Sequence, residues 1–505
     1  MTVIRPEQAA GPRRGRNQVS QLAVPVGELT ALVSNLAGTP GVRLADVFAA
    51  GDDPIALRLV WALDDQNRYL VTESEVQGAE YPALSDITPA AFSEECEIHE
   101  QFGIRPAGGK PLNRVAVPPQ AGPDFPRLGR RPLSALPSMH APHHVGGQAF
   151  EFPFGPVRQV AMESLYYGLV TSGEELVDLY LFTWHKHRGV EWRAQGRDPA
   201  QALFHVERME GLGAIGNSWA FAAAAETALD IEPADAELRS RAVALELERL
   251  YNHAAATAAL CQACGLAVGR AAAEIALELF LRLNAEVFGH RYLFGVVGVG
   301  GARTAPDIDA LKRGLPGAYD ELRRAAEDLL QTNSLMDRLE ATGIMTAEAA
   351  RRLGLVGPVA RGCGVLADTR TDHPAPPYAE LRPAVACQDG GDVLARFRVM
   401  LAEAAESVRL IDGLLEQGTA ASLVAPPARA SHGYRTGLGW AESSRGESLA
   451  WLELGPDGTI RRARLRPAAV RNWRGFDDAC RSQNVFTDIP IIEASFWLTV
   501  AGTAR

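Results

Sequence analysis

Two carboxylates and an arginine lie close together at residues 207–210. Glu207, Arg208 and Glu210 have apolar segments on both sides, which favours a partly buried position for them. A carboxyl group that loses contact with water has a raised pKa, and it can then hold or pass on a proton near neutral pH. The alternative is structural, with Glu207 forming an ion pair with a neighbouring arginine, and the sequence leaves both open.

The segment 187–191 is a second candidate for proton transfer. It contains His187, whose imidazole titrates near neutral pH, and Glu191 a few positions further on. The alternative is a capped turn in which the histidine is satisfied by hydrogen bonds. The candidate acid–base residues are Glu210 and His187, and the family resemblance given below adds Glu191.

The cysteines and clustered histidines do not predict a metal site. Cys261 and Cys264 form a C-x-x-C pair at i and i+3 of a predicted helix, and no second pair or histidine follows at zinc spacing, which favours thiols in the core. His140, His143 and His144 lie in a Pro/Gly-rich stretch, which favours a solvated cluster over a metal site. We predict no metal ligands.

Composition restricts the class of protein. The chain has 505 residues, with 50 Lys and Arg against 61 Asp and Glu and a net charge of −11, which argues against a nucleic-acid binder. It contains no run of about 18 or more apolar residues and no apolar secretory signal at its start. The 6 cysteines are sparse, as in proteins that keep their thiols reduced. We therefore expect a cytoplasmic protein, and the composition leaves contact with a membrane through partners open.

The pattern along the chain predicts four parts. Residues 1–19 are predicted to form a flexible tail and residues 20–104 a small α/β domain. Residues 105–149 are rich in Pro and Gly and form either a linker or an arm across a partner. Residues 150–505 are predicted to form a large, mainly helical domain with a bundle core and peripheral strands and hairpins. The predicted fold class is α+β.

Apolar periodicity and turn residues predict the main elements. In the small domain we predict an amphipathic segment at 26–36, strands at 57–63 and 69–72, and a helix that ends at Gly103. In the large domain, Pro316 is expected to break or kink the third of four long helices. These helices are predicted at 236–263, 270–288, 306–335 and 391–416, and strands at 152–157, 164–169, 448–453 and 459–465.

Several dispersed motifs resemble one protein family. The chain is similar to the large subunit of membrane-associated nickel–iron hydrogenases of the formate-hydrogenlyase and hydrogenase-4 type, and equally to the 49-kDa-type subunit of respiratory complex I. Each motif alone is weakly specific, but their order and spacing together are specific. The matching segments are 187–191, 206–208, 218–221, 246–253, 289–291, 300–301, 357–361, 391–393, 445–447 and 488–491, with Gly364, Asp368, Arg370 and Glu442 between them.

The small domain has its own counterpart. Residues 94–104 are similar to the signature of the 30-kDa-type subunit of complex I, and in formate-hydrogenlyase-type proteins the two units are fused in this order. The resemblance covers roughly residues 25–505.

The chain departs from the hydrogenase pattern at every metal ligand. The family's first ligand pair lies in R-x-C-G-x-C followed by a histidine, where this chain has Glu210, Gly213 and Asn217. The second pair lies in D-P-C-x-x-C, where this chain has Thr499 and Gly502. Thiolates are the soft ligands that such a centre needs. The resemblance therefore implies that no nickel–iron centre forms.

Complex I also lacks these cysteines, and there the emptied cavity binds quinone. Its headgroup partners are a tyrosine just after an R-x-D motif and a histidine in the loop after F-G-P. Here Glu210 takes the Asp position, Gly211 replaces the tyrosine, and Arg158 and Met162 stand where that family has the histidine. Quinone is thus implied as a ligand at the level of the family only.

The resemblance also places Arg361, Asp368 and Arg370 beside the family's cavity, where an arginine–carboxylate pair would hold the wall in place. A buried salt bridge with no chemistry is the alternative. The candidate cofactor-binding residues are Glu207, Arg208, Arg158, Arg361, Asp368 and Arg370.

The implied function is that of a subunit in a membrane-associated redox complex, NADH:quinone oxidoreductase-like or hydrogenase-4-like, peripheral on the inner face of the membrane. It would conduct electrons, with quinone as a candidate acceptor, and couple them to proton movement. The implied partners are an iron–sulfur small subunit of the complex I 20-kDa type, carrying a 4Fe–4S cluster, and antiporter-like membrane subunits. NAD would enter only through the wider complex, because the glycines at 298–301 lack the frame of a dinucleotide site. The alternative is a non-catalytic scaffold subunit.

Overall fold

The computed structural model describes residues 19–121, 125–129, 149–158, 163–424, 433–481 and 484–505. The predicted tail lies outside these residues except for Val19, and so do His140, His143, His144 and Met162.

The first part of the chain forms an N-terminal unit of mixed helix and strand. Its strands and helices are β1 (Val19–Ala23), α1 (Leu29–Ala37), β2 (Val42–Ala50), β3 (Ile55–Leu63), β4 (Arg68–Val76), β5 (Glu80–Pro82), α2 (Phe92–Phe102) and β6 (Arg105–Ala107). The sheet order is β1-β4-β3-β2, with β1 parallel to β4 and the other pairs antiparallel. Helix α2 ends as predicted, because Gly103 adopts a left-handed conformation (φ 71°). The unit extends past residue 104 because β6 pairs with β5.

Strand β2 escaped prediction because it is buried on both faces. One face of the four-stranded sheet packs against α1 and α2. The other face packs against apolar side chains of the large unit, with Val60 and Tyr69 meeting Leu438 and Trp451. A strand covered on both sides has no alternation of polar and apolar residues to reveal it.

The described residues from 149 to 505 form the large unit. Its strands are β7 (Phe150–Phe154), β8 (Tyr166–Ser172), β9 (Glu175–Phe182), β10 (Val297–Gly298), β11 (Gly301–Ala302), β12 (Ser422–Leu423), β13 (Arg435–Ser443), β14 (Gly446–Leu454) and β15 (Ile460–Arg466). Its helices are α3 (Val190–Ala194), α4 (Pro199–Val206), α5 (Ala214–Leu229), α6 (Asp235–Ala263), α7 (Ala267–Phe288), α8 (Ile308–Leu330), α9 (Asn333–Leu339), α10 (Ala347–Leu353), α11 (Gly357–Arg361), α12 (Thr369–Asp372), α13 (Pro376–Leu381), α14 (Val393–Glu416), α15 (Ala468–Cys480), α16 (Ile489–Phe496) and α17 (Val500–Thr503). The fold class is α+β, as predicted.

The helical core is organised around α6. This helix packs against α5, α7, α14 and α16, so that it is buried on nearly all sides. The antiparallel sheet β7-β8-β9 lies at the edge of the large unit, where β7 is exposed. The sheet β13-β14-β15, by contrast, is buried between α5 and the N-terminal sheet, so the prediction that the strands are peripheral is wrong for it. Among the helices in the described residues, none combines the length and the apolar character needed to cross a bilayer.

Of the two outcomes predicted at Pro316, the break is wrong, and the kink stays a prediction. Helix α8 runs through this residue and ends at Leu330, and α9 begins at Asn333. Leu311, Leu315 and Leu322 form an apolar face that is buried in the helical core. This packing stabilises the helix on both sides of the proline and offsets the missing hydrogen bond.

The described part of the 105–149 stretch lies as an arm between the two units. Glu100 of α2 accepts hydrogen bonds from the backbone N–H groups of Val115 and Ala116, both at 2.9 Å. On the other side, the hydroxyl of Thr183 donates to the carbonyl of Val115 at 3.0 Å. The arm is thus fixed to α2 and to the large unit.

Ion pairs also join the two units directly. Arg43 of β2 binds Glu447 of β14 at 2.6 Å, Asp46 of β2 binds Arg464 of β15 at 2.8 Å, and Glu94 of α2 binds Arg471 of α15 at 3.2 Å. The N-terminal unit is therefore docked on the large unit by charged as well as apolar contacts.

Candidate functional site

The four positions that depart from the hydrogenase pattern meet at one point in the structure. Glu210 precedes α5, and Thr499 caps the N-terminus of α17; the Thr499 hydroxyl donates a hydrogen bond to the Glu210 carboxylate. A β-carbon added to Gly213 would overlap one carboxylate oxygen of Glu210, and one added to Gly502 would overlap the other. The carboxylate therefore fills the space between two chain segments that are distant in sequence, and it needs glycine on both sides.

The carboxylate of Glu210 is buried but fully paired. It accepts hydrogen bonds from Asn217 Nδ2 and from Arg445 Nη2, both at 2.6 Å. The side chains of Glu210 and Arg445 are both almost fully buried. Arg445 lies in the tight turn between β13 and β14. Its other terminal nitrogen, Nη1, has no hydrogen-bond partner among the described residues. The centre of the site is therefore a buried, charge-assisted pair.

This donor set does not fit a nickel–iron centre. The four positions supply one carboxylate, one hydroxyl and two glycines, and the carboxylate already neutralises an arginine. Asn217 stands at the histidine position and donates to the same carboxylate. Across the described ranges, no group of three or more His, Cys, Asp or Glu side chains is arranged to hold a metal ion. Soft metals need thiolates that these positions lack.

An apolar cavity of about 470 Å³ lies beside this pair. Gly211, next to Glu210, and Thr499 form part of its wall. The aromatic lining residues are Phe154, Tyr292, Phe294 and Trp497, and the polar ones are Arg158, Glu163, Glu493 and Thr499. A mostly apolar cavity with a few convergent polar groups is typical of a small-molecule site.

Arg158 supplies the charged wall of the cavity. Its Nη1 binds Glu493 at 2.8 Å, its Nη2 donates to the Glu163 carbonyl at 3.1 Å, and its guanidinium lies 4.9 Å from the ring centre of Tyr167. Its Nε has no hydrogen-bond partner among the described residues. The sequence-predicted residue Arg158 is therefore at the cavity, where Glu493 and the Glu163 carbonyl hold its guanidinium group.

Glu207 and Arg208 lie at the edge of the same region, but they form an ion pair with each other. The second oxygen of Glu207 accepts a hydrogen bond from the Gly295 N–H at 2.8 Å. The Arg208 guanidinium lies over the rings of Phe204 and Phe294, at 3.9 and 4.7 Å. These contacts agree with the structural alternative for Glu207, in which it forms an ion pair with a neighbouring arginine.

His187 and Glu191 lie next to the last residues of the chain. His187 Nδ1 is 2.9 Å from the carbonyl of Ala504, and burial lowers its pKa. Glu191 accepts hydrogen bonds at 2.8 Å from Arg462, Arg505 and the Leu465 N–H. No hydrogen bond or ion pair among the described contacts joins them to Glu210, so the three predicted acid–base residues do not form one cluster.

Arg361, Asp368 and Arg370 belong to a buried ionic network. Arg361 binds Glu403 at 2.7 Å, Glu442 at 3.0 Å and Asp368 at 3.3 Å. Burial opposes ionisation of Asp368, but the guanidinium groups of Arg370 and Arg361 outweigh it and hold its pKa at about 2.

The rest of this network was missed from sequence. Glu246 binds Arg370 at 3.3 Å and Arg249 at 3.1 Å, so four carboxylates meet three guanidinium groups. Burial and the charge of Asp368 raise the pKa of Glu442, although Arg361 opposes the shift. The spacing of Glu246 and Arg249 in a helix with no polar face was the signal that could have indicated buried partners.

A further carboxylate, Glu248 of α6, lies close to the site. It accepts hydrogen bonds from the N–H groups of Ile215 at 2.6 Å and Gly216 at 3.0 Å, and so it caps the N-terminus of α5. Burial, with a smaller contribution from Glu210, raises the pKa of Glu248 to about 7, although these hydrogen bonds and Arg445 oppose the shift. The side chain can therefore change protonation near neutral pH.

We expect Glu248→Gln to reduce the gain in stability that the wild type shows as the pH falls. The folded-state pKa of Glu248 lies above its ordinary value of 4.5, so its contribution is complete below about pH 4.5 and is lost as the pH rises through about 7. Between about pH 8.5 and 5.5 the variant should gain about 2 kcal/mol less than the wild type in free energy of unfolding, measured by urea denaturation. Glu274→Gln, at an exposed position on α7, is the control. Equal pH slopes for wild type and Glu248→Gln would contradict the assignment.

The predicted C-x-x-C pair lies in the helical core. Cys261 is buried in an apolar cluster, and burial raises the pKa of its thiol to about 12 and that of Cys264 to about 11. Neither thiol is a ready nucleophile or metal ligand.

The fold and the site together define a class: an α+β protein with a helical core in which two distant chain segments enclose a central site beside an apolar cavity. Comparison with known proteins agrees with it. Residues 275–433 match the family described as respiratory-chain NADH dehydrogenase, 49 Kd subunit. The chain is 30% identical to an NADH-quinone oxidoreductase component of Geobacillus thermodenitrificans over 253 residues, which covers 49% of this chain and 69% of that protein. The chain belongs to the family of 49-kDa-type NADH dehydrogenase subunits and nickel–iron hydrogenase large subunits.

Hydrogenase-type relatives match a longer part of the chain. Formate hydrogenlyase subunit 5 of Escherichia coli is 27% identical over 439 residues, covering 84% of this chain and 76% of that protein. Hydrogenase-4 component G of Escherichia coli is 26% identical, covering 83% and 75%. A chain of the membrane-bound sulfane sulfur reductase, an archaeal respiratory membrane complex, shares the fold, with a TM-score of 0.64, 21% identity and coverage of 71% of this chain and 99% of that one.

Proposed function

We propose that this chain is an electron-transferring subunit of a membrane-associated redox complex and that it works without a nickel–iron centre. The observation that carries the proposal is the joint position of the paired Glu210–Arg445 and the apolar cavity of about 470 Å³. The relatives named above are components of formate hydrogenlyase, hydrogenase-4 and NADH-quinone oxidoreductase. A large subunit that lacks the thiolates can still conduct electrons if another acceptor enters the cavity.

The acceptor we propose is a quinone. Its ring and first isoprenoid carbons suit an apolar cavity lined by Phe154, Tyr292 and Trp497. The donors that we propose for its carbonyl oxygens are the Tyr292 hydroxyl and the Arg158 guanidinium group, since both residues line the cavity. Reduction to quinol takes two electrons and two protons; the electrons would come from an iron–sulfur partner of the complex I 20-kDa type, and the protons from solvent through buried carboxyl groups.

The proposed location is the inner face of the cell membrane, with contact to the lipid made by antiporter-like membrane subunits. The solved relative is named as part of a respiratory membrane complex, which supports such partners. Any oxidation of NADH would take place on another subunit of the assembly.

The test uses the complex purified through this chain. Decylubiquinone binding is followed by quenching of tryptophan fluorescence, because Trp497 lines the cavity. Reoxidation of a reduced iron–sulfur partner by the same quinone is followed by electron paramagnetic resonance. Ala263→Phe places a ring in the cavity and should weaken decylubiquinone binding by about tenfold or more. Ala267→Phe adds the same ring at an exposed position of α7 and should have no effect.

The alternative, a scaffold without redox chemistry, predicts a different result. An assembled wild-type complex that binds no decylubiquinone, or an Ala263→Phe complex that behaves as wild type, would contradict the quinone proposal. Loss of the partner subunits on deletion of this chain, together with full turnover in every cavity variant, would support the scaffold.

A further inference from the structure

The last residues of the chain form one wall of the cavity. We call residues 499–505 the closing segment. Thr499 and Val500 line the cavity, the Thr499 hydroxyl binds Glu210, and Gly502 lies against the same carboxylate. A movement of the closing segment would therefore change both the cavity and the contacts of Glu210.

Contacts from three directions hold the closing segment in place. Glu163 accepts hydrogen bonds from the N–H groups of Val500 and Ala501, the latter at 2.9 Å, and His187 contacts the Ala504 carbonyl. The third contact is made by Arg505, whose side chain is buried. Its Nε binds Glu191 at 2.8 Å, and its Nη2 binds both carboxylate oxygens of Glu97 at 2.8 Å.

Glu97 belongs to α2 of the N-terminal unit, so this contact reaches across the two units. Its carboxylate also binds Arg464 of β15 at 2.8 Å. Burial opposes ionisation, but Arg464 and Arg505 outweigh it and hold the pKa of Glu97 at about 2, so the group is charged at neutral pH. By contrast, Glu94 of the same helix pairs with Arg471 on α15.

We propose that Glu97 is a positioning residue through which the N-terminal unit holds the closing segment and sets the shape of the cavity. Its effect on turnover rests on the function proposed above, whereas its effect on the closing segment does not. Through Glu97 the N-terminal unit acts on the site, although none of its own residues lines the cavity described above.

Neutralising Glu97 should act locally. Arg464 keeps the two bonds to Asp46, and Arg505 keeps the bond to Glu191, so that neither guanidinium group is left unpaired. Glu97→Gln is therefore expected to fold. What it loses is the charge-assisted hydrogen bonding that ties Arg505 to α2.

The experiment compares Glu97→Gln with the matched control Glu94→Gln in the purified complex. Hydrogen exchange measured by mass spectrometry should be about tenfold faster for amides of the closing segment in Glu97→Gln, since loss of one strong contact favours local opening. The KM for decylubiquinone should rise severalfold while kcat changes little. Glu94→Gln removes an ion pair between the same two units and should change neither. Arg505→Lys, which keeps the charge but offers a single nitrogen, should show the exchange increase to a smaller extent.

The outcomes separate the two proposals. Unchanged exchange of the closing segment in Glu97→Gln would overturn the positioning role, whatever the ligand is. Faster exchange with an unchanged KM would overturn the link between Glu97 and the cavity. Equal effects of Glu97→Gln and Glu94→Gln would reduce Glu97 to one ion pair among several at the interface. If the wild-type complex binds no decylubiquinone, the proposed function fails, and the exchange measurement still decides whether Glu97 holds the closing segment.

Discussion

Arg361→Met is expected to lower the free energy of unfolding by about 5 kcal/mol, at the upper end of the cost of breaking a buried ion pair. The substitution removes the cation that Glu403, Glu442 and Asp368 share, and all four side chains are buried. Asp368 keeps Arg370 and Glu403 keeps His253, but four buried carboxylates then share only two guanidinium groups, so some of them must be protonated or hydrated. The measurement is chemical denaturation of the purified chain at neutral pH.

The dependence on pH identifies the cause of this loss. Asp368 and Glu403 have lowered pKa values in the wild type because nearby guanidinium groups, Arg361 among them, outweigh burial. Without Arg361 these pKa values rise, so the deficit should be smaller at about pH 5 than at about pH 8. Arg270→Met, at a half-exposed side chain on α7, should leave stability unchanged. If the loss in free energy of unfolding does not vary with pH, lost packing rather than uncompensated carboxylates would be its cause.

Arg445→Met is expected to cost about 3–5 kcal/mol and to abolish quinone reduction, because it leaves Glu210 buried without a cation. Asn217 and Thr499 still donate to Glu210, but neither carries a charge. Denaturation and the reoxidation assay described above measure the two effects. The Glu210–Arg445 pair lies where the family resemblance places the metal ligands of hydrogenases.

A double-mutant cycle tests whether the charge itself is responsible. Glu210→Gln alone leaves Arg445 uncompensated and should also be destabilising, whereas Glu210→Gln with Arg445→Met removes both charges. The double variant should recover most of the stability and none of the turnover. Additive losses of stability in the cycle would show that the two side chains act independently. Normal quinone reduction by Glu210→Gln would show that the carboxylate has no part in the chemistry.

Local patterns predicted the elements that are long and regular. Helix α6 was predicted at 236–263 and spans Asp235–Ala263, because apolar residues at helical spacing persist over its whole length. The hairpin of β14 and β15 follows from the Gly-Pro-Asp-Gly turn at 455–458. The prediction failed where tertiary packing overrides local preference: β2 is covered on both faces, and α8 continues through Pro316.

The candidate site could be predicted in part. The residue types were evident from the sequence. The chain has no cysteine at the family's four ligand positions, which indicates a site without thiolates; these positions are Glu210, Gly213, Thr499 and Gly502. The partner of Glu210 was not, because Arg445 is more than two hundred residues away and lies in a turn that carries no motif for such a pair. Glu191 and His187 were candidates for proton transfer, with a capped turn as the alternative. Their described contacts are with the last residues of the chain and with β15.

The amino-acid sequence by itself determined the family, the order of the two units and the loss of the metal-binding thiols, because these depend on residue identity and spacing along the chain. Only the tertiary structure decided that Glu210 is neutralised by Arg445, that an apolar cavity lies beside the pair, and that Glu97 reaches Arg505 across the two units. The physical reason is that charge pairing and burial depend on distances in space, and the residues that decide them are hundreds of positions apart in the chain.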